Sequence, residues 1–216
     1  MIRRAVSVGV APSLYGFSLG ALGVTSGLSI LQTCLTSLVL FSGGSQFALI
    51  GVLGGGGSAA SAITTSSLLG IRNGLYGLQM NRILRPRGFR RILAAHITID
   101  ESTAVSITQD TPELQRIGFW VTGCVIFAVW NTTTLIGALA GNALGDPKRF
   151  GLDAAASGAF IALLWPRLSA REPVAVAVAA AILTAVLVPS VPVGLPVVAA
   201  GLVAIVVGLG RKRRSA

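Results

Sequence analysis

Charge is scarce in this chain. Asp, Glu, Lys and Arg make up 11% of its 216 residues, against about 25% in an ordinary soluble domain. With 53% hydrophobic residues and a mean hydropathy of +0.79, a soluble fold of this size would lack the polar surface to cover its apolar interior. Histidine occurs once, at His96, and the Asp and Glu residues number 7 and are scattered. That leaves no Ser-His-Asp arrangement and no metal cluster, so acyl-transfer and metal-assisted catalysis have little to work with. Cys34 and Cys124 lie far apart in apolar runs without metal or redox spacing. No Walker motif is present, which argues against ATP coupling within the chain. The expectation is a protein that is not an enzyme and carries no cofactor or metal.

What the chain has in quantity is apolar sequence. About 20 apolar residues cross the hydrocarbon core of a bilayer as a helix. The fold class expected is an all-α integral membrane protein: one transmembrane domain over residues 1–216, a polytopic bundle of about seven spans. Residues 8–24 form the first span, uncleaved although MIRR resembles the start of a signal peptide; Pro12 interrupts it, and Gly16, Gly20, Gly23 and Gly27 follow at spacings that favour close helix contact. Residues 28–53 form the second, 58–80 an unusually polar third with Thr64, Thr65, Ser66, Ser67, Arg72 and Asn73. Residues 92–108 are too short and polar for a confident span and suggest a half-helix or re-entrant element; 114–139 and 151–168 are further spans. Residues 174–188 and 194–209 read as two C-terminal scaffold helices outside a core of 8–168, followed by a basic tail at 211–216.

The net charge of +10 is clustered. Arg82, Arg85, Arg87, Arg90 and Arg91 share one loop; Arg211, Lys212, Arg213 and Arg214 form the tail. Such clusters flanking apolar segments follow the positive-inside rule, and no nucleic-acid motif accompanies them. If 92–108 does not cross, loop and tail both face the cytoplasm and the N-terminus lies outside, with Arg3 and Arg4 in disagreement.

The stretch LVLFSGGSQFALIG, residues 38–51, organises the rest. Its polar centre, Ser42, Gly43, Gly44, Ser45 and Gln46, reads as a break in the second span, because paired glycines weaken a helix by about 1 kcal/mol each. In lipid such a break must line a protein-enclosed cavity, and broken helices hold polar substrates in transporters. Close helix packing on a Gly/Ser face is the alternative. A weak internal echo sets 20–27 and 43–53 against 137–145 and 156–166, consistent with an inverted repeat.

Four further groups complete the candidate site. Asp100 and Glu101 would each cost about 2.5–3.5 kcal/mol at a membrane helix centre, so they face water, a cation or a proton path, or cap an interfacial helix. Arg72 either pairs with a carboxylate or snorkels to the interface. Asp153 opens a span, where a carboxylate suits a helix N-terminus, and Asn131 places an amide inside residues 114–139. His96, beside the arginine loop, reads as interfacial.

These blocks resemble the AzlC family, the large subunits of branched-chain amino acid exporters. LFSGGSQFALIGVL is similar to its S-x-x-x-F-x-G-x-x-Q-F-A segment, and GIRNGLYGL to its N-x-R-H-x-x-Y-G stretch at Arg72, Tyr76 and Gly77. IDESTAV resembles T-D-E-x-x-A at Asp100, Glu101 and Ala104, and GLDAAASGAF resembles G-L-D-x-A-x-x-A-x-F at Gly151, Leu152, Asp153 and Phe160. Gly70 stands where the family often has Asn, and Asn73 where it often has His. The resemblance implies gradient-driven export of Val, Ile, Leu and Met across a bacterial inner membrane, together with a small membrane subunit of the AzlD type. Substrate binding would fall to Ser42, Gly43, Gly44, Ser45, Gln46, Arg72, Asn73 and Asn131, and proton coupling to Asp100, Glu101 and Asp153. A channel for small neutral solutes and a non-transporting scaffold subunit are the rival readings.

Overall fold

The structure is a computed structural model that describes residues 2–143, 158, 161, 164–165, 168–191, 195–196, 199–201, 203 and 207. The described residues form helices and no strand: α1 (Ile2–Ser13), α2 (Tyr15–Thr25), α3 (Ile30–Val39), α4 (Gly43–Gly54), α5 (Ala59–Leu84), α6 (Phe89–His96), α7 (Asp100–Ile107), α8 (Pro112–Ala143) and α9 (Arg171–Leu187). Among the described residues two runs are long and apolar enough to cross a bilayer, Ala5–Thr25 and Pro112–Ala143.

Pro12 lies near the end of α1, and Leu14, still in right-handed helical geometry, leads into α2 at Tyr15. Small residues then bring α2 against α8. A Cβ on Gly20 would overlap the carbonyl oxygen of Thr134, and one on Gly137 that of Phe17. Thr133 Oγ1 donates to the Ser13 carbonyl at 2.6 Å across the same seam. Along the seam Gly9 meets Val125, Gly16 meets Trp130, and Ala21 meets Gly141. The numbers rise together, so α1–α2 and α8 run parallel and start at the same end of the bundle.

Residues 28–53, expected as one broken span, are instead a helical hairpin. Ser29 caps α3, accepting from Gln32 N at 3.2 Å while Gln32 Oε1 accepts from Ser29 N at 2.8 Å. The helix stops at Leu40, and Ser42 N donates to the Leu40 carbonyl at 2.7 Å, a three-residue turn around Phe41. Gln46 Nε2 then reaches the Ser37 carbonyl at 3.1 Å. In a straight broken helix those residues would stand about 13 Å apart along the axis; only a chain that doubles back brings them together. At the open end of the hairpin, a Cβ on Gly54 would sit 2.5 Å from Ser26 Oγ. The break also falls at Leu40–Ser42, upstream of the two glycines, which are the first residues of α4.

The polar α5 is capped by Ser58, which accepts from Ser61 N at 3.1 Å. It ends at Arg85 in the left-handed conformation (φ 45°), just before Pro86. Thr65 and Ser66 turn inward, while the exposed Thr64 bonds its own helix at the Ala60 carbonyl, 2.8 Å away. Residues 92–108 belong to a second hairpin, as a re-entrant element requires. Arg91, Ala94, Ala95 and Thr98 line one cavity together with α5 residues from Asn73 to Leu84, so α6 folds back beside α5 after the turn at 86–88. After the tip at Ile97–Ile99, Ser106 Oγ donates to the Gln115 carbonyl at 2.9 Å and Arg116 Nε to the Ile83 carbonyl at 3.2 Å, so α7 returns to the end it came from.

Within residues 2–143, therefore, three elements run end to end (α1–α2, α5 and α8), and two hairpins enter from opposite ends with their tips meeting in the middle. The seven-span count is not reproduced, since 28–53 enters and leaves by one end. This removes the conflict over Arg3 and Arg4. The start of α1 now lies at the same end as the 85–88 loop, so the arginines gather there while the turns at 26–29 and 55–58 carry no charge. A helix followed by a hairpin occurs twice in opposite sense, α1–α4 and α5–α7, which is an inverted repeat. Its partners are not those of the echo, whose second half falls largely outside the described residues.

One cross-link decides the hairpin. Ser26→Cys with Gly54→Cys, in a background without Cys34 and Cys124, is expected to form a disulfide on mild oxidation, seen as a mobility shift after proteolysis between the two. If 28–53 crossed the bilayer, those positions would be about 30 Å apart and no cross-link would form.

Candidate functional site

A cavity of about 290 Å3 lies between the two hairpin tips, at the small end of ligand-pocket volumes of about 300–1,000 Å3. The first tip supplies Phe41, Ser42, Gly43 and Gly44, the second Ile99, Asp100 and Glu101, and α5 supplies Leu69 and Arg72. Ile126 and Trp130 of α8 close the apolar side with Tyr15 and Pro12.

Both tips must satisfy their backbone groups away from water. At the second tip Ser102, fully buried, does this twice: its Oγ donates to the Ile97 carbonyl at 2.8 Å and accepts from Ile99 N at 3.1 Å. At the first, Gln46 takes up the Ser37 carbonyl, and Ser42 and Ser45 join hydroxyls at 3.1 Å. The amides opening α4 are treated differently. Ser42 makes no side-chain cap, so the N–H groups of Gly43 and Gly44 are left for the cavity, together with the partial positive charge of a helix N-terminus. A side chain at either position would press on the cavity wall. A Cβ on Gly43 would come within 3.1 Å of Trp130 Cη2, and one on Gly44 within 3.3 Å of Arg72 Nη2.

Arg72 is not snorkelling. Its Nη1 contacts Asp100 Oδ2 at 2.8 Å, with side chains 31% and 24% exposed, which ties α5 to the second tip. Its Nε is buried without a hydrogen-bond partner. The carboxylates open α7, where the helix dipole favours negative charge. The cavity therefore has a cationic pole, at Arg72 and the α4 N-terminus, and an anionic one at Asp100 and Glu101.

Of the residues singled out from sequence, Ser42, Gly43, Gly44, Arg72, Asp100 and Glu101 line this cavity, and Ser45, Gln46, Asn73 and Asn131 do not. Gln46 and Ser45 are fully buried, Gln46 bracing the hairpin from the side of α4 that faces α3. Asn131 Nδ2 bonds the Phe127 carbonyl at 2.7 Å within its own helix. Asn73, one helical position past Arg72, turns to a second cavity. Asp153 lies outside the described residues. His96 is not at an interface: it ends α6 at the second tip, with its ring 5.9 Å from Phe41 and 5.6 Å from Phe127. Trp130 was missed; it is 6% exposed, and its indole Nε1 is buried without an acceptor. Its adjacency to Asn131 in a polar stretch of α8 was the available signal. Among the described residues no group of His, Cys, Asp and Glu can hold a metal ion.

The family profile described as AzlC protein matches residues 6–144. This chain belongs to the AzlC family. A similar curated protein, an uncharacterized membrane protein of Archaeoglobus fulgidus, is 33% identical over 158 residues, covering 72% of this chain and 69% of that one. No solved structure matches. As an AzlC-family chain with a membrane relative, it is a membrane protein with a transport-related role, and every lining residue of the cavity except Leu164 lies inside the matched region.

Removing one member of the ion pair takes a charged partner from the other in a partly buried site. Arg72→Met and Asp100→Leu are each expected to lower stability in detergent by about 1–3 kcal/mol, and the double variant to recover part of that loss. Thermal unfolding of the four proteins checks this; additive losses would mean the pair contributes nothing.

Proposed function

We propose that this AzlC-family chain is a secondary transporter subunit that exports branched-chain amino acids, Val, Ile, Leu and also Met, across the bacterial inner membrane. The observation that carries the reading is the two-pole cavity with an apolar wall. An α-amino acid presents a carboxylate, an ammonium and a side chain. The carboxylate fits Arg72 and the amides of Gly43 and Gly44, the ammonium fits Asp100 and Glu101, and Ile126, Trp130 and Leu69 accommodate the side chain. A zwitterion entering between Arg72 and Asp100 replaces one ion pair with two, so neither charge is left unpaired in a partly desolvated site, where that would cost several kcal/mol.

Glu101, on the cavity wall beside the ion pair, is the residue we assign to proton coupling. Asp100 shares the role through its contact with Arg72. The arginine-rich end faces the cytoplasm by the positive-inside rule. A small AzlD-type subunit, implied by the family, completes the transporter by covering exposed apolar helix faces.

The test is efflux from bacterial cells fed a Val- or Ile-containing dipeptide, with and without this chain and its small partner. Faster, saturable efflux that an uncoupler abolishes is expected. Glu101→Gln should remove the uncoupler sensitivity, and Arg72→Lys, which keeps the charge but loses the fork, should raise KM. Unsaturable, uncoupler-insensitive flux would instead identify a channel. No change for Val, Ile, Leu or Met, with the protein confirmed in the membrane, would overturn the substrate assignment.

A further inference from the structure

A second cavity, about 360 Å3 in volume, lies between α5 and α6. Its α5 wall runs from Asn73 to Leu84, and Arg91, Ala95 and Thr98 stand opposite. That length of helix rises about 16 Å, so the cavity reaches from the depth of the first site to the arginine end of the bundle. The two cavities are neighbours. Arg72 lines the first and Asn73 the second; Asp100 lines the first and Thr98 the second. The Arg72–Asp100 ion pair stands at the boundary.

Three features indicate its use. First, the wall is mixed where a groove for lipid chains would be uniformly apolar: Asn81 and Arg91 line it beside Leu78, Met80 and Leu84, and Asn73 Oδ1 is buried there without a hydrogen-bond partner. Second, two of the α5 glycines, Gly74 and Gly77, face empty space. A Cβ on Gly74 or Gly77 would meet nothing within 4 Å. In the inverted repeat the matching seam, α2 against α3, is shut: a Cβ on Gly23 would come 2.5 Å from Thr33 Cγ2. Third, Arg91 lines the cavity and Arg85, Arg87 and Arg90 stand beside it in the chain, a concentration of positive charge that attracts carboxylates.

We infer that this second cavity is the vestibule through which a small carboxylate-bearing solute passes between the site and the arginine end, with the Arg72–Asp100 ion pair as the barrier between the two. The inference rests on reading the first cavity as a solute site. The repeat is open at the arginine end and closed at the other, and the bare face of Gly74 and Gly77 is the surface onto which α6 closes.

The experiment uses the full chain, with its small partner, in oriented membrane vesicles, with Cys34 and Cys124 replaced by Ala. Gly77→Cys places a thiol in the vestibule; Leu75→Cys places one on the outer face of α5, where Leu75 is 63% exposed. A membrane-impermeant methanethiosulfonate is applied from the arginine end, with leucine as the transported probe. Modification of Gly77→Cys is expected to reduce leucine flux to background, and leucine to slow that modification. Modified Leu75→Cys keeps its flux. Ala95→Cys, on the opposite wall, serves if Gly77→Cys fails to accumulate. Complete modification at the vestibule positions with flux unchanged overturns the vestibule and leaves the first site standing. If the unsubstituted protein moves no amino acid, the reading of the first site fails instead. Thiol reactivity then decides the vestibule: reagent that reaches Gly77→Cys from the arginine end supports it, and failure to react overturns it.

Discussion

The backbone at the two hairpin tips constrains everything else. A helix that ends in the middle of an apolar bundle leaves N–H and C=O groups with no water to take them. Carbonyls are handled by dedicated side chains: Ser37 by Gln46, Ile97 by Ser102. The amides at the two tips are treated unequally. The second tip places carboxylates on its own helix N-terminus, while the first places two bare glycines beside a guanidinium. On a frame that repeats in inverted sense, that difference makes one tip anionic and the other cationic. A dipolar site results from an asymmetric filling of a nearly symmetric scaffold.

Within the described helices glycine serves several purposes, and spacing alone separates only one. Gly16, Gly20, Gly137 and Gly141 bring α2 onto α8 until a side chain would strike backbone. The first two follow the small-xxx-small pattern and were legible. Gly43 and Gly44 read as a break, yet they are helical and make room for Trp130 and Arg72. Gly77 stands out only as part of a motif and Gly74 not at all, and a Cβ on either would touch nothing within 4 Å. Close packing has a sequence period, whereas the proximity of a distant tryptophan, or empty space, has none.

Hydropathy was informative about class and length and misleading about direction. Residues 28–53 are long enough to cross, and a broken span and a hairpin share the same apolar run and the same polar centre. What distinguishes them is a contact between Gln46 and Ser37 and another between Gly54 and Ser26, neither visible before the chain is folded. The one available warning was electrostatic: Arg3 and Arg4 sat on the wrong side of the expected topology, and they come right once that segment turns back. The candidate site was legible in its charged members, because Arg, Asp and Glu stand out in a chain so poor in charge. The amides misled, since Asn73 and Asn131 each lie one position, about 100° of helix, beyond a residue that does line the cavity.

The division of labour between tight and loose seams gives the architecture its mechanical sense. The α2–α8 seam is closed on backbone atoms, so neither helix can approach further, and Thr133 to the Ser13 carbonyl fixes their register. A hairpin is held differently, because it enters and leaves by one end and its tip is tied only by what it meets at the centre. For the second hairpin those ties include the ion pair to α5, the aromatic contacts of His96 with Phe41 and Phe127, and the packing of Ile97 on Gly123 and of Val105 on Gly118. The same arginine that offers a pole to a solute therefore also holds the tip in place. Any ligand that competes for Arg72 or Asp100 acts on the position of α6 and α7 as well as on its own binding, so occupancy of the site and access to it share a single interaction.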